Sequence, residues 1–127
     1  MKRWETDSRV NSIARKTGEY VLTKRVENYS DPTWHFSGFA QEMNQACKTD
    51  LFHWRNVHQL LGEINMIRGK NKPMLTSIVR YKADPQIVPE GFISCAKEIG
   101  RFSGTKNKKT FMDEEFQEVV ATIKGTT

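Results

Sequence analysis

The chain has 127 residues, 37% hydrophobic and 28% charged, with a formal net charge of +5 and a pI near 9.3. That length suits one domain with a core that needs no covalent staples, and thirteen aromatics, three of them Trp, argue against disorder. No apolar run approaches the roughly 18 residues of a membrane span, and MKRWETDSR lacks the apolar stretch of a secretory signal, so a cytoplasmic protein without membrane contact is expected.

Asp7 or Ser8 is placed to cap a first helix, with Val10, Ile13 and Ala14 at helical spacing and Gly18 as its stop. Tyr20-Val21-Leu22-Thr23 has strand composition, Asn28 to Pro32 is a turn cluster, and Trp4 and Trp34 read as lids over the core. Residues 1–32 are thus expected to form an N-terminal helix and strand. A second helix is predicted from about Thr33, with Phe36, Phe39, Ala40, Met43 and Cys47 on its apolar face. A third, over 54–68, buries Val57, Leu60, Leu61, Ile64 and Ile67. It turns Arg55, Asn56, His58, Gln59, Asn65 and Arg68 outward, and Gly69 and Pro73 end it.

Met74 to Tyr81 alternates like a strand with apolar residues on both sides, covered on each face near its start. Pro89-Glu90-Gly91 leads into a fourth helix burying Phe92, Ile93, Ala96, Ile99 and Phe102, which completes a helix-turn-helix-like core over 33–102. Ser103 to Thr110 reads as a flexible basic loop. Asp113 falls in the first turn of a last helix that packs Phe116, Val119, Val120 and Ile123 and ends at Gly125. Its Glu114, Glu115 and Glu118 read as solvating charge. The whole 1–127 chain is read as a single α+β domain, mainly helical, with a winged-helix-like centre and a small β-sheet.

Charge is unevenly placed: residues 54–109 hold eleven Lys or Arg against four acids, and the last eighteen residues hold four acids and one Lys. A basic middle of this kind attracts phosphate. The expected function is non-enzymatic binding of nucleic acid, most naturally double-stranded DNA. Arg55, Asn56, His58, Gln59 and Arg68 would approach the groove, since Arg pairs with guanine acceptors and Asn or Gln with adenine. Lys70, Lys72, Arg80 and Lys82 would hold phosphate in the manner of a wing, and Lys106, Lys108 and Lys109 would add non-specific affinity. Trp54 beside Arg55 is a candidate for stacking on a base.

Two other readings accompany this one. The chain may instead be read as a small inhibitor or adaptor docking on a host protein through the acidic run Asp113–Glu118 or the aromatics around Trp34 and Trp54. A third reading is a hydrolase using His35 and His53 with Asp50. No i, i+4 histidine pair is available for a metal, no GxSxG elbow or GK[ST] phosphate loop is present, and Cys47 and Cys95 read as two buried thiols, so neither cofactor, metal nor catalytic residue is expected.

FSGFAQEMNQAC…WRNVHQLLGEI…KPMLTSIVRYK…VPEGF resembles the DNA-binding domain of alkylguanine alkyltransferases and alkyltransferase-like proteins over residues 36–92. In that family a helix precedes an Arg-bearing recognition helix, a reactive-site motif led by Pro, and a Gly-Phe bend. The family's Pro-Cys-His-Arg site has no counterpart, because Pro73 is followed by Met74, Leu75 and Thr76, and Cys95 falls after the bend. The resemblance therefore implies DNA binding without alkyl transfer. PMLTSIV…VPEGF also resembles small proteins of phages and mobile elements.

Overall fold

The computed structural model describes residues 8–125; the expectations for Trp4 and Asp7 lie outside them. Five α-helices and a two-stranded sheet follow in the order α1 (Ser8–Asn28), β1 (Trp34–His35), α2 (Phe36–Cys47), α3 (Val57–Arg68), a 3-10 helix (Leu75–Ile78), β2 (Val79–Arg80), α4 (Glu90–Ile99) and α5 (Lys108–Lys124). The fold is mostly helical with a small parallel sheet, consistent with α+β. Trp34 lies opposite Val79, and His35 opposite Arg80.

Helix α1 corrects two expectations. It runs through Gly18 and through Tyr20–Thr23 without a strand, because Ala14, Gly18, Val21, Leu22 and Val26 continue one stripe at helical spacing, all of it buried. Tertiary packing overrides the strand preference of the local composition. Gly18 marks the point where α1 meets α3: a side-chain carbon there would lie 2.6 Å from the Ile64 Cδ1 atom and 3.6 Å from the Phe39 ring. Ile13, expected inside, is exposed. The chain then turns as expected near Pro32. The Arg25 guanidinium donates to the Pro32 and Thr33 carbonyls at 3.2 and 3.1 Å and lies over the Tyr29 and Trp34 rings.

Helix α2 starts at Phe36, not Thr33, since His35 is its cap: the His35 Nδ1 atom accepts from the Gly38 N–H at 2.9 Å. Lys48 ends it in the left-handed region, with φ of 54°. The Asn44 carboxamide clamps the following loop at Phe52, donating to its carbonyl at 2.8 Å and accepting from its N–H at 2.9 Å. Helix α3 starts at Val57 rather than 54. Its core face is Val57, Leu60, Leu61 and Ile64, joined by Asn65, while Ile67, expected inside, is 57% exposed.

The expected strand Met74–Tyr81 shrinks to Val79–Arg80, preceded by the 3-10 helix, whose four residues are all buried. Apolar residues on both sides of the segment reflect a peptide threaded through the core. Helix α4 starts where expected but stops at Gly100, in the left-handed region with φ of 86°, so that Phe102, expected on its stripe, is buried beyond its end. Helix α5 begins earlier than expected, because the Asn107 Oδ1 atom accepts from the Thr110 N–H at 3.0 Å and caps it. Lys108 and Lys109 are therefore helical and not part of a loop.

Two hydrophobic clusters result. The larger joins α1, α2, α3 and the 3-10 helix with Val119 of α5; the smaller joins Met74 with Phe92, Ile93, Cys95 and Ala96 of α4, Phe102, and Phe111 and Met112 of α5. Cys47 and Cys95 are free thiols, Cys47 half-buried and Cys95 buried, and burial pushes both up from the usual thiol range. Among the described residues no helix is long and apolar enough to cross a membrane.

Candidate functional site

The structure divides the predicted binding residues into three groups. The first faces solvent around the start of α3. The 54–56 turn leads directly into the helix, as the His53 carbonyl accepts from the Asn56 and Val57 N–H groups at 3.0 and 3.2 Å. Trp54 is therefore about one turn before His58. Trp54 is 51% exposed, and the exposed Arg55 places its guanidinium carbon 5.1 Å from the Trp54 ring centroid. No carboxylate pairs with Arg55 among the described residues. His58 stacks on Phe36 at 4.1 Å between centroids and leans on Tyr81 at 6.3 Å. Lys82, exposed, follows Tyr81. Trp54 and Arg55 thus form an exposed aromatic and basic corner just before α3, and His58 and Tyr81, with Lys82 next in the chain, form a second cluster on Phe36. His58 is half-buried rather than fully outward, and burial holds its imidazole below the usual histidine range.

The second group lies beyond the other end of α3: Lys70 and Lys72 are exposed, and Lys70 reaches toward Gly100. A helix of twelve residues separates this group from Arg55 by about 18 Å. Lys108 is exposed on the first turn of α5. Gln59 is exposed on α3 between the two ends, but its neighbours on that surface include Met66 and Ile67, both exposed, and Glu63, which pairs with Arg15. The outward surface of α3 is therefore neutral and partly apolar.

The third group is partnered within the chain, which corrects the expected open positions of Asn56, Arg68 and Arg80, while Lys106 stays exposed. The Asn56 carboxamide donates to the Leu51 carbonyl at 2.8 Å and accepts from the His53 N–H at 3.0 Å, organising the loop. Arg68 pairs with Glu19 at 2.8 Å. Arg80 is 7% exposed and donates to the Ser77 and Pro85 carbonyls at 2.7 and 3.3 Å. Lys106 pairs with Glu114, and Lys109 with Asp113.

In the acidic run of α5, expected to be solvating charge or a docking face, Glu114 and Glu118 are exposed and Glu115 departs from the expectation. Glu115 is 3% exposed, accepts the Met74 N–H at 3.2 Å, and is gripped by Arg101. Arg101 also reaches Glu118 at 3.1 Å. Of the histidines proposed for hydrolysis, His35 spends its Nδ1 atom on the α2 cap and the Ser37 hydroxyl at 2.7 Å. The His53 Nδ1 atom accepts from the Arg55 N–H at 3.3 Å. Both rings serve the backbone next to them. No family model, curated protein or solved structure matches this chain.

Proposed function

We propose that this chain is a non-enzymatic nucleic-acid-binding protein whose contact is centred on the Trp54–Arg55 corner rather than on the outward surface of α3. The observation that carries the reading is the half-exposed Trp54 indole with an Arg55 guanidinium lying against it and, among the described residues, no carboxylate paired with that charge. A base can stack on the open indole while the guanidinium meets the adjacent phosphate, a pairing of stacking and charge suited to unpaired strands. Tyr81 and the exposed Lys82 beside His58 supply a further ring and cation, and Lys70 and Lys72 offer a second phosphate contact beyond the far end of α3.

The winged-helix-like reading enters this proposal in altered form. The pair α2–α3 serves to present the Trp54–Arg55 corner in place of a recognition face, and the Lys70–Lys72 turn alone takes the part of the wing, because a 3-10 helix follows it in place of a hairpin strand. A phage or mobile-element setting and a cytoplasmic location belong to the same proposal. The test is fluorescence anisotropy with a labelled single strand and its duplex at two salt concentrations. The expected result is tighter binding of the single strand, weakening as salt rises. Duplex preference would return the groove-reading mode, and no binding of either at low salt would end the proposal.

A protein partner is the second reading, favoured by the neighbouring Met66 and Ile67 side chains, 45% and 57% exposed on α3. A pull-down that survives nuclease treatment but is lost on changing both to Ser supports it.

A further inference from the structure

Three aromatic side chains are exposed among the described residues, Tyr20 at 62%, Tyr29 at 50% and Trp54 at 51%. Each carries a cation on its ring. Besides the Trp54–Arg55 pair, the Lys24 ammonium lies 5.6 Å from the Tyr20 centroid and the Arg25 guanidinium 3.9 Å from the Tyr29 centroid. Members of these two pairs are four residues apart, the spacing that brings side chains together along a helix. All four side chains line one open cleft beside the second half of α1, together with Trp34 and Glu42. The cleft leaves about 200 Å³ for the centres of water-sized molecules, within an empty volume of about 520 Å³ that includes its mouth.

Its charges decide what it accepts. A cationic guest, which aromatic rings and a carboxylate would otherwise suit, meets Lys24 and Arg25 already on those rings, and Arg25 also lies 4.6 Å from the Trp34 centroid. Arg25 is held in place through Nε and Nη2 on the Pro32 and Thr33 carbonyls, and no carboxylate pairs with it among the described residues. Asp31, whose charge reaches Arg25, accepts from the Thr33 N–H and hydroxyl at 3.2 and 2.7 Å. Lys24 pairs with Glu27 at 2.9 Å, an exposed contact that holds it weakly. Glu42 is exposed and pairs with no cation among the described residues. The cleft therefore offers half-open rings, positive charge for an anion, and one carboxylate that accepts hydrogen bonds and donates none.

We propose that this cleft is a second contact for an unpaired strand, taking one nucleotide whose base stacks on Tyr20 or Tyr29, whose phosphate meets Lys24 and Arg25, and whose amino edge donates to Glu42. Stacking asks only for a flat face. The carboxylate adds selectivity, because it favours a base with an amino donor, such as cytosine through N4. The inference rests on the reading of the chain as a single-strand binder, and it adds to the Trp54–Arg55 corner a contact on a different helix with a base preference of its own.

The experiment is fluorescence anisotropy of the full chain at low salt with labelled oligodeoxycytidylate and oligodeoxythymidylate of equal length. The cytidine strand is expected to bind tighter by roughly threefold or more. Changing both Tyr20 and Tyr29 to Ala should weaken its binding by about fivefold or more, and Glu42→Gln should bring the two strands level. All three side chains are exposed, so the variants keep the fold, which circular dichroism checks. Full affinity in the double tyrosine variant, or an unchanged cytidine preference in Glu42→Gln, would overturn the proposal. Trp54→Ala, measured alongside, separates the two readings: if it loses affinity while the double variant does not, the corner stands and the α1 contact falls. Binding of neither strand by the unaltered chain would end both.

Discussion

Arg101 grips Glu115 with two parallel hydrogen bonds, Nε to Oε1 at 2.6 Å and Nη2 to Oε2 at 2.8 Å. The same guanidinium donates to the Lys70 carbonyl at 2.7 Å, and the same carboxylate accepts the Met74 N–H. One ion pair therefore ties the segment after α4 to α5 and to both ends of the turn between α3 and the 3-10 helix. Removing Glu115 leaves Arg101 with only Glu118 and the Lys70 carbonyl, and strips the Met74 N–H of its acceptor. Glu115→Ala is expected to lower stability by about 1–3 kcal/mol, read by urea unfolding with Trp fluorescence. A loss under 1 kcal/mol would show that the pair is dispensable.

Protonation of Glu115 should act in the same direction. Burial pushes its carboxyl up, but the hydrogen bonds and charge of Arg101, with the Met74 N–H, outweigh this and hold it below the usual range. A group depressed in the folded state adds stability above its unfolded value, about 4.3 for Glu, and loses it as pH falls through the lower folded value. Glu118 works in the opposite sense, its carboxyl being held up by Glu115. Measured in a Glu118→Gln background, Tm should fall on acidification below about pH 4.3, and Glu115→Gln should flatten that part of the curve.

His58 gives a separate pH effect. Its depressed imidazole is neutral in the fold, so stability is full above the unfolded histidine value of about 6.5 and declines as pH falls through the folded one. His58→Phe keeps a ring against Phe36 and removes the titration. Between pH 7 and 5 its Tm should drop less than that of the unaltered chain; parallel curves would contradict the assignment.

Two of the helical glycines, Gly18 and Gly62, should respond oppositely to Ala. Gly18→Ala forces a carbon to within 2.6 Å of the Ile64 Cδ1 atom, and overpacking of this kind costs about 1–3 kcal/mol. Gly62→Ala meets nothing and should gain about 0.5–1 kcal/mol from the helix preference alone. Thermal melts of the two variants decide the matter by sign.

Surface and interior cations should also separate. Trp54→Ala is expected to weaken single-strand binding roughly 5- to 150-fold, the equivalent of about 1–3 kcal/mol. Arg55→Ala should reduce the salt slope by about 1. Both should leave stability within about 0.5 kcal/mol. Arg80→Met should do the reverse, lowering Tm with affinity intact. Equal affinity losses from Trp54→Ala and Arg80→Met would place the contact elsewhere.

Much of the helical plan is readable because period and caps agree: the stripes of α2, α4 and α5 and the stop at Gly125 follow from local chemistry, whereas α4, expected to reach Phe102, ends at Gly100. The strand at Tyr20–Thr23 was misread because composition was weighed above the stripe that crosses Gly18. The segment Met74–Tyr81 was misread because a buried 3-10 turn shows the same two-sided apolar pattern as a covered strand. At the site, Trp54 and Arg55 were legible as adjacent residues. The confinement of Arg68 was not, since its partner Glu19 lies 49 positions away. The burial of Asn65, expected to face outward, is hidden likewise: its carboxamide donates to the Thr76 hydroxyl eleven positions away, and no local pattern signals that the two meet.

Helix α5 belongs to both hydrophobic clusters, through Phe111 and Met112 at one end and Val119 at the other. Amide hydrogens of α4 should consequently exchange with solvent by a partial opening that leaves α1 to α3 closed, while those in the second half of α5 should report the rarer opening of the whole chain. Under gentle denaturation the molecule is thus expected to loosen from its C-terminal side in two cooperative stages, with the Arg101 clasp as the latch between them.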